Sequence, residues 1–383
     1  MKLGGVRDGT VYVTRGLDIG TWSAEEGFLT VGSLPNPESG SDGLRFDAMN
    51  RWLPKRLLRP ITGLYTTANV WPLGDDCLLA TVSRWLFRSA DGGRSWTLVR
   101  ELPDSSGPMG VLPTAVREHR GRVYLAEYPL GDDPARVLVS DDRGRTWSPF
   151  VERPDVRHFH GLFVDPYTDR LWATTGDTND ESAIGVLSEE GFAPIGRGSQ
   201  RWRAVGLAFG SEAVFWGKDS SYTERAEVLR LSRESLDDPD PTPETIATTA
   251  CPIYYAETLD RPDEHWLVVS TTSTGRIDST APDGQKRNTC DGVARVLAAS
   301  SASGYETWYE LYATERRDAV GERVDAIPAS NGYLFLATDP EHGLLINPYN
   351  TTDDNGDIVA ITPAAFDEAD FASYTDSRTE VRP

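Results

Sequence analysis

Lysine is almost missing from this chain. Of 38 basic residues, four are Lys (Lys2, Lys55, Lys218, Lys286) and 34 are Arg. Positive charge is short overall, since 59 Asp and Glu against those 38 leave a net −21. That balance argues against nucleic acid or an anionic membrane face as the main partner, because phosphate binding needs clustered positive charge. No run approaches the roughly 18 apolar residues that a spanning helix needs, so no membrane insertion is expected. The start, Met1-Lys2-Leu3-Gly4-Gly5, lacks the apolar core of a secretory signal, which places the expected location in the cytoplasm. Cysteine is scarce too. Cys77, Cys251 and Cys290 are an odd number without metal-ligand spacing, and they read as small buried residues or free thiols, not as a disulfide framework.

What is present is acid and aromatic. Asp outnumbers Glu 35 to 24, and Asp-rich, Lys-poor composition resembles that of proteins from salt-in halophiles. Strong brine shortens the Debye length and screens the self-repulsion of such a surface. Eleven Trp, twelve Phe and fourteen Tyr give a chain of 39% hydrophobic residues the means to build a sizeable core.

The hydrophobic pattern is that of short strands. Apolar runs of four to seven residues recur at 10–13, 77–82, 122–126, 170–174, 213–216, 266–270 and 333–337. Each follows a turn signal such as Arg7-Asp8-Gly9, His119-Arg120-Gly121 or Ser330-Asn331-Gly332, and all but the first have another apolar stretch upstream. That is a hairpin signature, repeated seven times. A sharper marker recurs 51 residues apart: Ser89-Ala90-Asp91-Gly92-Gly93-Arg94-Ser95-Trp96 and Ser140-Asp141-Asp142-Arg143-Gly144-Arg145-Thr146-Trp147. In such a turn the Asp accepts backbone N–H bonds, the Gly takes positive φ and the Trp folds back on the sheet.

These two segments resemble the Asp-box, or BNR, repeat of sialidase-like β-propellers. The stretch from Arg157-His158-Phe159-His160-Gly161 to Gly176-Asp177 is also similar to a BNR-repeat group associated with polysaccharide and surface-glycan biosynthesis. The resemblance implies an all-β propeller of four-stranded antiparallel blades over residues 1–346, seven blades being favoured and six the alternative. The first unit shows no obvious innermost strand, and the chain end is a candidate to supply it. Residues 36–59 read as an insertion whose basic stretch 51–59 is expected to be a short helix and a candidate docking site for a protein partner. Residues 347–383 read as an acidic tail or a ring-closing segment.

Propeller topology then picks the site. Its residues follow second strands or enter innermost strands, on the face opposite the Asp-box turns, whose Asp residues are therefore read as structural. That rule gives Glu127, Asp177 and His160 as proton-transfer candidates. Arg157, His158, Arg203, Tyr128, Tyr255, Glu257 and Asp219 are the candidates for holding substrate. His158 and His160 point the same way on a strand and suit acid–base work, a sugar hydroxyl, or a metal shared with Asp177 or Glu127. No metal and no cofactor are assigned. Glycoside hydrolysis needs two carboxyls at a set spacing, and arginine forks suit a sugar acid; Arg59 and Arg323 join Arg157 and Arg203 on that face. Trp202, Trp216 and Tyr254 stand at the same entrance, to stack on sugar or to fill the wedge between blades. The resemblance to sialidases implies an arginine triad and a Tyr–Glu pair, which Tyr255 with Glu257 or Tyr128 with Glu127 would imitate. The Arg-Ile-Pro signature is replaced by Leu58-Arg59-Pro60-Ile61, so true sialidase activity is not expected. The expected function is action on, or recognition of, an acidic glycan, as a hydrolase or lyase or as a non-catalytic binding propeller.

Overall fold

The computed structural model describes residues 1–383 apart from 55–56, 58–67, 107–109, 221–222, 224, 262–263, 275–289, 319–330, 369–370 and 376–383. Seven antiparallel sheets stand in a ring, each a meander from an innermost to an outermost strand. The chain is a seven-bladed β-propeller. The innermost strands are Lys2–Arg7, Asn69–Pro72, Val116–His119, His158–Asp165, Leu207–Phe209, Ile253–Asp260 and Tyr333–Asp339. Second and third strands carry the most continuous apolar sequence because neighbouring blades cover both their faces. Leu79, Leu86, Leu125 and Leu138 are fully buried in one such interface.

Local chemistry sets the hairpins. Asp8 and Gly9 both take positive φ (49° and 71°), the geometry of the tight turn that matches strand twist. The two S-x-D-x-G-x-x-W turns join third to fourth strands and share one bonding pattern. Asp91 accepts from the Ser95 backbone N–H at 2.9 Å and from its hydroxyl at 2.6 Å. Asp142 accepts from Thr146 at 2.9 and 2.7 Å in the same way. Ser89 and Ser140 accept the backbone N–H of Gly93 and Gly144, and each Trp indole donates to that Gly carbonyl. A Cβ on Gly144 would lie 2.7 Å from Leu79 at a φ of 80°, so glycine is needed there on two counts.

Three details depart from the sequence reading. The first blade has its own innermost strand, Lys2–Arg7, formed by the first residues of the chain. It meets the last blade without a shared sheet: the Leu3 N–H donates to Asn347 Oδ1, and Leu3, Val11 and Val13 pack on Phe335, Leu345 and Tyr349. The strand was missed because Leu3-Gly4-Gly5-Val6 is too glycine-rich to read as one. The C-terminal stretch supplies the third strand of the last blade, Val359–Ile361, and a short strand, Ala372–Ser373, on the outer edge of the sixth. Second, the insertion carries a helix that the sequence reading missed, Gly40–Asn50, ahead of the basic stretch, within which Trp52, Leu53, Pro54 and Leu57 are helical too. Phe46 anchors it in the core beside Leu17, Leu34 and Val70; residues 55–56 and 58–59 of the basic stretch lie outside the described residues. Third, Cys251 and Cys290 form a disulfide and Cys77 stays a buried thiol. A separation of 39 residues hid this pairing; Cys251 and Cys290 precede the first and third strands of one blade, which run parallel and so begin at the same end of the sheet.

Candidate functional site

The site lies at one mouth of the central channel, where loops after second strands meet the first residues of innermost strands. Asp177 follows the strand Arg170–Gly176 and faces His158 and His160 on the adjoining strand. A bulge at His160 shifts the register between Phe159 and Gly161. Period-two alternation is broken there, yet the two rings still meet, with centroids 5.1 Å apart.

Distances within this group are short. The two histidine Nε2 atoms are 3.2 Å apart. Asp177 Oδ2 lies 3.5 Å from His158 Nε2, and Oδ1 lies 3.5 Å from His160 Nε2. Arg157 Nη1 reaches Oδ2 and Arg203 Nη2 reaches Oδ1, each at 3.0 Å. Arg203 also places Nε 3.3 Å from Asp219 and donates to the Asp177 carbonyl. Tyr128 stacks on His158 at 3.9 Å between centroids. Both imidazoles are buried.

Beside this group is a cavity of about 240 Å³, walled mainly by Tyr128, Tyr254, Tyr255, Tyr333, Arg203 and Asp219; His160 touches it too. Burial, with the negative charge of Asp219, pushes the Tyr333 phenol up to about 12 and raises Tyr254 and Tyr255 well above their ordinary value. The phenols are therefore neutral hydrogen-bond donors at any working pH. Burial by itself would raise the Asp177 carboxyl. Its contacts to His158 and His160 and the Arg203 charge outweigh that and hold it well below the carboxylate range. Burial also lowers the His158 imidazole.

Eight of the ten sequence-derived site residues line this cavity or the adjoining group: Tyr128, Arg157, His158, His160, Asp177, Arg203, Asp219 and Tyr255. Glu127 and Glu257 stand apart from it. Glu127 precedes Tyr128, so strand alternation turns it outward between blades, where Arg100 Nη2 lies 3.1 Å away. Its carboxylate is fully buried, and desolvation raises its pKa. Glu257 lies further along the channel in a second cavity of about 260 Å³ with Arg117 and Phe163. Desolvation pushes its carboxyl up to about 7, against the opposing charge of Arg117. Trp202 and Trp216 stack on each other at 5.3 Å and fill the space between blades, away from the cavity. Arg59 and Arg323 lie outside the described residues.

Sequence reasoning passed over Lys2, Phe335 and Tyr349, which also line the cavity. Lys2 is buried, donates to Asn69 Oδ1 and stands 4.8 Å above the Phe335 ring. Its one sequence signal was rarity, in a chain with four lysines, since the strand that it enters did not read as one.

No family model matches the chain. A vacuolar protein sorting/targeting protein 10 from Aspergillus clavatus is 34% identical over 93 residues, 23% of this chain and 6% of that protein. A chain of a mitotic checkpoint complex aligns with a TM-score of 0.50 at 10% identity, covering 94% of this chain and 86% of that one. An ancestral GH74 enzyme aligns at 0.49 and 12%, covering 94% and 46%. A GH43 endo-arabinanase from Bacillus licheniformis aligns at 0.31 and 11%, covering 81% and 94%. At these identities the likeness reaches the fold alone.

Proposed function

We propose that the tyrosine-walled cavity binds an acidic carbohydrate, and that it recognises the sugar without hydrolysing it through a carboxyl pair. The observation that carries this reading is the wall itself: aromatic faces for sugar rings, neutral phenol donors for hydroxyls, and Lys2 and Arg203 for an acid group. Recognition is favoured over hydrolysis by where the carboxylates went. Asp177 and Asp219 both contact Arg203, Glu127 contacts Arg100, and Glu257 faces Arg117 in the other cavity. Asp177 is held ionised and so has no proton to give a leaving group.

The two S-x-D-x-G-x-x-W turns support kinship with Asp-box propellers, and the Lys-poor, Asp-rich surface supports a halophilic source. The Cys251–Cys290 bridge favours an oxidising compartment over the cytoplasm.

Calorimetric titration with uronic-acid and neutral oligosaccharides, at low and molar KCl, tests the reading. Binding of the acidic set that is lost in Tyr255→Ala is expected. Equal indifference to both sets, or undiminished binding in Tyr255→Ala, would end it. Release of reducing ends during the titration would restore the hydrolase reading.

A further inference from the structure

His158 and His160 face each other through atoms of the same polarity. His158 Nδ1 lies 3.2 Å from the Pro129 carbonyl, and His160 Nδ1 lies 3.2 Å from the Ala204 carbonyl. A carbonyl only accepts, so those partners assign the hydrogen to Nδ1 in both rings. Each neutral ring then carries its lone pair on Nε2. These two lone pairs meet at 3.2 Å, with the Asp177 carboxylate 3.5 Å from each. An ionised carboxylate is also an acceptor only. Three acceptor groups therefore converge with no donor of their own between them.

A proton or a metal ion would satisfy such a point; the 3.2 Å between the two Nε2 atoms suits either, and the carboxylate distances favour the metal. A hydrogen bond from imidazolium to carboxylate closes to about 2.7–2.9 Å, well short of 3.5 Å. Ligands held about 2.0–2.1 Å from a tetrahedral metal lie roughly 3.3–3.4 Å from one another. The two Nε2 atoms are 3.2 Å apart, and each lies 3.5 Å from its nearer carboxylate oxygen, Oδ2 for His158 and Oδ1 for His160, so the separations bracket that value with the carboxylate presenting a different oxygen to each ring. The Nδ1-to-carbonyl bonds are the kind that fix ring orientation and tautomer in metal-bound histidines. The carboxylate has capacity left, because Arg157 and Arg203 occupy one lone-pair site on each oxygen.

We propose that His158 Nε2, His160 Nε2 and Asp177 bind one divalent transition-metal ion, with zinc the best fit to a nitrogen-rich tetrahedral set. This departs from the metal-free expectation of the sequence, where the third ligand could not be named. Two arginines and two aspartates cancel formally around the site, so the charge of the ion favours an anion or hydroxide in the fourth position. His160 belongs both to the ligand set and to the cavity wall, so that position is within reach of a bound acidic group. The inference stands on the geometry of three side chains and does not rest on the carbohydrate reading.

The test uses the full chain, stripped with a chelator and kept in excess Mg²⁺ so that oxygen-only surface sites are filled. Titration with Co²⁺, read by visible ligand-field absorption, and with Zn²⁺, read by calorimetry, is expected to give one equivalent with a four-coordinate spectrum. His160→Gln and Asp177→Asn should each weaken binding by more than about 100-fold. Glu189→Gln, an exposed carboxylate on Arg122, should bind like wild type. Should the ligand variants fail to fold, histidine NMR of the wild-type chain decides, because Zn²⁺ must move the Nε2 resonances of His158 and His160 together. Less than half an equivalent bound by the folded wild-type chain, unmoved resonances, or full affinity in His160→Gln would overturn the proposal and leave a proton as the occupant.

Discussion

The Arg203 guanidinium reaches the Asp177 carboxylate at 3.0 Å, across the seam between the fourth and fifth blades. The two residues are 26 positions apart, and the contact is largely shielded from water. Arg203 is also the bridge to Asp219. Replacing it leaves Asp177 with Arg157 as its remaining arginine and strips the buried Asp219 carboxylate of its contact to Arg203. Arg203→Ala is therefore expected to cost about 3 kcal/mol of stability, and Arg203→Lys less. Chemical denaturation at fixed salt checks this; a loss under about 0.5 kcal/mol would mean that the pair is solvated.

Glu127 gives the opposite expectation for binding. It contacts Arg100 and not the cavity, so Glu127→Gln should lower stability by about 1–2 kcal/mol while leaving carbohydrate affinity unchanged. Calorimetry on the folded variant reads both. A tenfold loss of affinity at unchanged stability would return Glu127 to the site.

Glu257 sets a pH dependence. Its folded carboxyl is raised from 4.5 to about 7 by desolvation, with Arg117 the charged group facing it across the channel. In that window the folded state binds more protons than the unfolded state. This stabilisation is complete below pH ~4.5 and is lost as pH rises through ~7, by up to ~3 kcal/mol. Partial exposure reduces the figure. Glu257→Gln should flatten stability between pH 4.5 and 7. An unchanged slope in that variant would place the titration elsewhere.

The disulfide closes a 39-residue span. Chain-entropy arguments give about 3–4 kcal/mol for a loop of that length. Cys251→Ser and reduction by dithiothreitol should lower stability by similar amounts, and Cys77→Ser should leave the bridge intact. Peptide mapping without reduction is expected to join Cys251 to Cys290; a free Cys290 thiol would contradict it.

The sequence by itself determined the strands, their turns and their repetition. Asp8-Gly9 or Ser89–Trp96 can be read locally because a turn is a short-range object whose hydrogen bonds lie within four residues. Repetition marked the units, the resemblance to Asp-box propellers implied the ring, and the ring implied which loop ends meet, which is how eight cavity-side residues were named. Tertiary structure decided the rest. It turned Glu127 outward, because facing is a matter of a single-residue register. It brought Lys2 and Tyr349 to one wall, because ring closure joins positions 347 apart in sequence. It paired Cys251 with Cys290, which precede two parallel strands of one blade. Above all it set three acceptors within 3.5 Å of each other. Spacing along a chain names the residue types, but only packing fixes the ångströms on which coordination and proton transfer depend.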